Sequence, residues 1–236
     1  MPNIRTLSPN THLLQSDETL TINKDWFEPD YWKTQNALKG TGNGRGAVWF
    51  IHSSLGQFVI RRYRRGGFIA KFNKDRFLYT GLKSTRPWQE LSLLEHMRAL
   101  ELPVPRPIAG QVTTGFGFYR STLMTETIPN AQDLFDILKA NRAHTLDWKN
   151  IGRVIKRFHD HGIYHSDLNC HNIMIDNANT VWVIDFDKCE HRATDTLWKQ
   201  DNIDRLKRSL DKESKRHASF DSLDAQWRDF LEGYRG

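Results

Sequence analysis

Two acids and an amide stand at spacings that suit phosphoryl transfer: Asp167 and Asn172 within His165-Ser-Asp-Leu-Asn-Cys-His-Asn172, and Asp185 within Ile184-Asp-Phe-Asp187. Moving a phosphoryl group to an alcohol requires a residue that orients the attacking hydroxyl and hard oxygen donors for a divalent cation. It also requires backbone or cationic donors on the phosphates. The first two requirements are met within this one short stretch.

The spacing His165-x-Asp167-Leu-x-x-x-Asn172 is that of the protein-kinase catalytic loop, in which the acid meets the acceptor hydroxyl and the amide holds a metal. Asp185, thirteen positions after Asn172, ends an apolar strand where those enzymes carry their Mg²⁺-binding acid. Asp167 is therefore the expected catalytic residue, and Asn172 and Asp185 are the expected metal ligands. Phosphate donors are sought upstream, where Gly40-x-Gly42-x-Gly44-x-Gly46 precedes a strand. At Gly42, Gly44 and Gly46 the backbone N–H groups can approach an anion without Cβ obstruction. Arg61 occupies the strand position of the phosphate-binding lysine, presenting a planar fork in place of a point charge, with Lys71 the alternative. Glu90 is its expected helix partner. Met124-Thr-Glu126-Thr-Ile128 has the character of a segment whose main chain meets an adenine edge, so Glu126 and Ile128 complete a set directed at ATP and Mg²⁺.

The elements that must hold these residues follow from periodicity and breakers. From Gly40 to Tyr63 the pattern is strand, glycine turn, strand, and the glycines between Arg64 and Gly81 punctuate a further hairpin. A helix begins near Pro87, carries Leu91, Leu94 and Met97, and cannot pass Pro103-Val-Pro-Arg-Pro107. Phe116 to Thr127 is β-rich. Asn130-Ala-Gln-Asp133 opens a helix bearing Leu134, Ile137 and Leu138. Asp147 precedes another bearing Trp148, Ile151, Ile155 and Phe158, which Gly162 ends. Two short strands, Ile173-Met-Ile175 and Val181-Trp-Val-Ile184, lead to two tail helices with stripes at Trp198, Ile203, Leu206 and Leu210 and at Leu223, Trp227, Phe230, Leu231 and Tyr234. The expected fold is α+β and two-lobed. An antiparallel sheet lobe spans 1–128 with the phosphate loop and a basic segment, and a mainly helical catalytic lobe spans 129–236. The first 35 residues carry aromatics, such as Trp26 and Tyr31-Trp32, without periodicity, and no role is assigned to them beyond anchoring.

Charge is localised. Of 34 basic and 28 acidic residues, nine basic and one acidic lie between Arg61 and Arg86, leaving 25 against 27 elsewhere. A charge run is by default a solvated face. Here Tyr63, Phe68, Phe72, Phe77 and Tyr79 are interleaved with it, which favours an anionic membrane surface over nucleic acid. No apolar run approaches membrane-spanning length, and Met1-Pro-Asn-Ile-Arg lacks a signal-peptide core, so the expectation is a protein of the cytosol or its face of a membrane. The two cysteines suit a reducing compartment. His159, His161, His165 and His171 beside Cys170 do not make a metal cluster, because positions i and i+2 diverge on a helix. His165 is read as a packing residue and Cys170 as a small buried one.

Several longer strings carry a family resemblance: Arg61-Arg-Tyr-Arg-Arg-Gly-Gly, Arg86-Pro-Trp-Gln-Glu90, Pro103-Val-Pro-Arg-Pro, the His165 to Asn172 loop and Ile184-Asp-Phe-Asp-Lys-Cys. Together they resemble the 3-deoxy-D-manno-octulosonic acid (Kdo) kinases of Gram-negative bacteria, within the lipopolysaccharide kinase group. The resemblance implies a protein-kinase-like fold and transfer of the γ-phosphoryl of ATP to the 4-hydroxyl of Kdo on Kdo-lipid IVA. It also implies a peripheral location at the cytoplasmic face of the inner membrane. The chain departs from protein kinases: Asp187 replaces a glycine, Asn169 stands where a lysine is usual, and only about 50 residues follow Asp187. A protein substrate is disfavoured. The rival expectations are a kinase for another sugar such as heptose, or for an antibiotic, and a catalytically inactive kinase-like scaffold on anionic membranes.

Overall fold

A computed structural model describes residues 1–42, 48–65, 75–194, 197–217 and 223–236. The chain divides into two compact units, one of residues 1–96 and 105–127, the other of residues 97–104 and 128–236.

In chain order the first unit contains β1 (Asn3–Ser8), β2 (Thr11–Gln15), a 3-10 turn at Lys24–Phe27, α1 (Pro29–Thr34), β3 (Leu38–Thr41), β4 (Val48–Ser53) and β5 (Gly56–Arg62). Then come β6 (Phe77–Leu78), the helix α2 (Arg86–Ala99), of which residues 97–99 count with the second unit, β7 (Pro107–Gly115) and β8 (Phe118–Glu126). The sheet runs β1-β2-β7-β8-β5-β4-β3, with β6 attached to β8. Every pairing is antiparallel. Side chains alternate across it, so that Leu13, Phe58, Ile60 and Met124 enter one core while Leu14, Tyr63, Val112 and Leu123 enter another.

The second of these cores is closed by Trp88 and Leu91 of α2. That helix lies so near β7 that a Cβ on Gly110 would stand 2.9 Å from the Cβ of Pro87. The first core is closed by the opening residues of the chain, which sequence periodicity left without a role. Trp26, Phe27 and Trp32 are buried there. The Trp26 and Trp32 rings meet edge-on at 5.2 Å, and the Trp32 indole N–H donates to the Trp26 carbonyl at 2.7 Å. The hairpin expected between Arg64 and Gly81 includes residues 66–74, which lie outside the described part. The short strand after them pairs with β8, Phe77 opposite Tyr119, because Phe77 buries its ring there.

The second unit holds β9 (Gln132–Asp133), α3 (Leu134–Lys139), α4 (Trp148–Asp160), β10 (Ile163–Tyr164), β11 (Ile173–Ile175), β12 (Val181–Val183), β13 (Glu190–His191), α5 (Trp198–Arg216) and α6 (Asp224–Arg235). Local chemistry sets its helix ends. Asp133 accepts from the Asp136 N–H and Asp147 from the Asn150 N–H, and Gly162 takes φ +69° where α4 stops. α4 and α6 touch backbone to backbone: a Cβ on Gly152 would collide with the Phe230 carbonyl, and one on Gly233 with the Lys149 carbonyl. An α+β fold results, with an antiparallel sheet in one unit and most of the helix in the other. Among the described residues no helix is long and apolar enough to cross a membrane.

Candidate active site

Asp167 sits in the loop between β10 and β11, its side chain 64% exposed and thus accessible to an acceptor. The loop is held from below by His165, which is 4% exposed. The Asp167 N–H donates to His165 Nδ1 at 3.2 Å, and His165 Nε2 lies 3.0 Å from the Ile184 carbonyl. One ring nitrogen accepts, so the other carries the proton, and the imidazole is the neutral Nε2–H tautomer. Burial pushes its pKa down, against the Ile184 carbonyl and the charges of Asp185 and Asp167, which keeps it neutral. A single ring therefore clasps the Asp167 loop to the residue before Asp185.

More bonds tighten the same clasp. Ser166 Oγ donates to the Asp187 carbonyl at 2.8 Å, and the Ser166 N–H meets Cys189 Sγ at 3.2 Å. Phe186 is buried between His165, edge-on at 5.0 Å, and Phe158 of α4, stacked at 6.0 Å. Burying Phe186 turns its neighbour outward: Asp185 is exposed and adopts φ +63°, a left-handed conformation that non-glycine residues rarely take. Asn172 is 8% exposed. Its amide nitrogen donates to the Asp167 carbonyl at 2.9 Å, while its own carbonyl accepts from the Ile184 N–H at 3.0 Å. With its nitrogen so committed, Asn172 presents its amide oxygen. An amide oxygen from a residue whose backbone bonds Ile184, just before an outward carboxylate, gives hard donors of the kind Mg²⁺ accepts.

A group of contributors that sequence reasoning missed lies on α5. Asn202, 1% exposed, accepts from the His165 N–H and donates to the His165 carbonyl, both at 3.1 Å. Arg205 Nη1 stands 3.4 Å from Asp167 Oδ1, and Ser209 Oγ accepts from the Cys170 N–H at 3.2 Å. Positions i, i+3 and i+7 share one helix face, so this polar stripe tracks the loop nearly residue by residue. The signal was present as polar residues flanking the Leu206 and Leu210 stripe, but nothing local distinguishes them from solvated ones. Cys170 is a buried thiol that burial pushes up to about 11, which leaves it unreactive.

In the first unit, alternation along β5 sends Arg61 and Tyr63 to the face covered by α2 and Arg62 to the opposite face, where it meets Trp49 and Glu28. Arg61 Nη2 donates to both carboxylate oxygens of Glu90 at 2.6 Å, and the Tyr63 hydroxyl donates to Glu90 Oε2 at 2.6 Å. Glu90 is 4% exposed, so these donors offset the cost of burying its charge. Replacing it by glutamine removes the carboxylate charge that the Arg61 guanidinium and the Tyr63 hydroxyl meet. The expected loss is about 3 kcal/mol, the lower end for a broken buried pair because Arg61 is partly exposed. Differential scanning calorimetry should show Tm lower by about 6–12 °C, and an unchanged Tm would remove Glu90 from the structural role.

Among the remaining expected residues, Glu126 ends β8. Its N–H donates to the Arg106 carbonyl at 2.9 Å, and its carboxylate pairs with Arg106 Nε at 3.0 Å. Arg106 also reaches Asp17 at 2.6 Å. Burial opposes ionisation of Asp17, but hydrogen bonds from Thr19 and the Arg106 charge outweigh it, so its carboxyl sits below the usual range. Ile128 is half-buried and belongs to the second unit. The Gly42 N–H is already donated to the Val48 carbonyl at 3.0 Å, so Gly42 can serve a phosphate only through its missing Cβ. Gly44, Gly46 and Lys71 lie outside the described residues. Of the aromatics expected as a platform in the basic segment, Tyr63 is 1% and Phe77 6% exposed, because each packs inward on the α2 side of the sheet, and Phe68 and Phe72 lie outside the described residues.

Residues 29–234 match the model of the lipopolysaccharide kinase (Kdo/WaaP) family. The chain is similar to a 3-deoxy-D-manno-octulosonic acid kinase of Vibrio cholerae, 43% identical over 185 residues and 78% of each chain. It is also similar to the proteins of that name from Mannheimia succiniciproducens, 40% identical over 94% of this chain and 95% of the other, and Actinobacillus succinogenes, 36% identical over 95% of each.

Proposed function

The chain belongs to the lipopolysaccharide kinase (Kdo/WaaP) family, and from that premise we infer that it is an ATP-dependent phosphotransferase that phosphorylates Kdo in lipopolysaccharide core assembly. The acceptor is the 4-hydroxyl of Kdo on Kdo-lipid IVA, met at the cytoplasmic face of the inner membrane. The observation that carries this reading is the His165 clasp, which ties an exposed carboxylate, Asp167, to a second outward carboxylate, Asp185, through one neutral ring.

In the reaction the acceptor oxygen forms a bond to the γ-phosphorus while the bond from that phosphorus to the β,γ-bridging oxygen breaks, and ADP leaves. The hydroxyl proton passes to the Asp167 carboxylate and then to solvent. Arg205 limits the rotation of Asp167, and Asn202 fixes the backbone of His165 beneath it. Asn172 and Asp185 are the residues that would hold Mg²⁺, which when bound offsets charge on the phosphates. Arg61, set by Glu90 and Tyr63, supplies a fixed cation for the phosphates, and the glycines 42, 44 and 46 allow close backbone approach. Glu126 and Ile128 offer main-chain groups to the adenine.

The test is acceptor preference. Purified protein with Mg-ATP is expected to release ADP with Kdo-lipid IVA and to yield a product heavier by one phosphoryl group on Kdo. It should do so at least about tenfold faster than with a heptose-bearing core acceptor, since a site built to bond one sugar leaves its polar groups unpaired with another. Preferential phosphorylation of heptose would overturn the acceptor assignment, and absence of ADP with either would overturn the reaction.

A further inference from the structure

The turn from β7 to β8 is built around an aromatic in an unfavourable place. Phe116 has φ +50° and Gly117 φ +75°, so both central residues are left-handed, as in a type I′ turn. Glycine, asparagine and aspartate suit the first of these positions, and a phenylalanine there is strained. Its ring gains nothing from packing in return, because Phe116 is 102% exposed.

Two further apolar side chains share this tip. Leu78 of β6 lies directly opposite Phe118 of β8, and the pair is 65% and 37% exposed. Opposed residues of antiparallel strands point to the same face, and the next pair, Phe77 with Tyr119, points inward and is buried. Two residues before Leu78 and two after Phe118 stand Arg76 and Arg120, both exposed, with Arg120 bridged to Asp75 at 2.9 Å. Arg65 and Arg86 lie over the Phe77 ring at 5.2 and 4.2 Å. The tip is thus three exposed apolar side chains with two exposed arginines, Arg76 and Arg120, behind them, while Arg65 and Arg86 are half-buried on the inward side with Phe77. Leu55, exposed in the turn between β4 and β5, lies away from this tip.

We propose that this tip is the membrane-docking element: Phe116, Phe118 and Leu78 enter the interfacial layer of an anionic phospholipid bilayer while Arg76 and Arg120 rest among its headgroups. Apolar anchors ahead of a cationic collar match the layering of such a surface. A second copy of the chain would bring arginines against arginines. The proposal rests on the membrane location in the proposed function, but it assigns that contact to the tip, where the sequence pointed to the aromatics of the basic segment.

Phe116→Gly combined with Leu78→Ser tests it, because glycine relieves the turn and neither residue belongs to the catalytic machinery. Vesicles of phosphatidylglycerol and phosphatidylethanolamine are expected to sediment the unaltered protein, and purely zwitterionic vesicles far less. The double variant should partition at least about tenfold more weakly, as loss of two interfacial apolar side chains implies, with Tm equal or higher. Its turnover on detergent-dispersed Kdo-lipid IVA should be unchanged. Equal vesicle binding by variant and unaltered protein would overturn the proposal, as would no binding by either. So would a variant whose self-association falls while its vesicle binding persists. Loss of turnover by the unaltered protein in detergent would instead count against the acceptor assignment and leave the docking result standing.

Discussion

Asp167→Ala should lower turnover by about a thousandfold or more, the range over which a positioned acid–base group contributes in the transition state. ATP affinity should hardly change, because the role assigned to this carboxylate is to meet the acceptor rather than the nucleotide. Stability should hold as well: the Asp167 side chain is 64% exposed, and its pair with Arg205, at 3.4 Å, is a surface pair of little worth. The backbone contacts that order the loop, from the Asp167 N–H to His165 and from Asn172 to the Asp167 carbonyl, survive the substitution. A coupled ADP assay with a thermal melt separates these effects. Retention of a tenth or more of the turnover would remove Asp167 from the chemistry.

Asp185→Asn should cost about a hundredfold or more in kcat and shift the half-maximal Mg²⁺ concentration upward, since an amide replaces a carboxylate among the oxygen donors. Asparagine is the informative replacement because it also tolerates the left-handed region, so the φ of +63° survives and charge alone is changed. Alanine at the same position should add a loss of about 1–2 kcal/mol in stability, the cost of left-handed backbone without a compensating side chain. Titrating Mg²⁺ against turnover for the asparagine variant, and comparing melts of the two variants, reads each term. Unchanged turnover with unchanged Mg²⁺ dependence would exclude Asp185 from holding the metal.

The loop from His165 to Asn172 and the Asp185 turn were legible in the sequence because their chemistry constrains residue type and spacing together. Asp133, Asp147 and Gly162 were legible for a similar reason, since helix ends leave backbone groups that only a few side chains or a left-handed residue can serve. Trp26 and Trp32 were not, because they are buried by strands far along the chain and repeat at no period. Asn202 and Arg205 escaped notice because a polar residue on a helix looks solvated until its partner, here thirty-seven or thirty-eight residues earlier, is known. The misplaced aromatics are instructive in another way. Period-two alternation already puts Tyr63 on the same face as Arg61, and an arginine aimed at a buried glutamate carries its neighbour inward with it.

Arginine at position 61 also decides which reagents can reach this strand. A lysine amine can shed its proton and attack an electrophile, which makes it a handle for acylating nucleotide probes and covalent inhibitors. An arginine guanidinium does not give up its proton in proteins, and both oxygens of Glu90 already accept from the Arg61 Nη2. It offers such reagents no nucleophile. Compounds aimed at this strand must therefore bind by charge and shape, because bond formation at position 61 is closed to them.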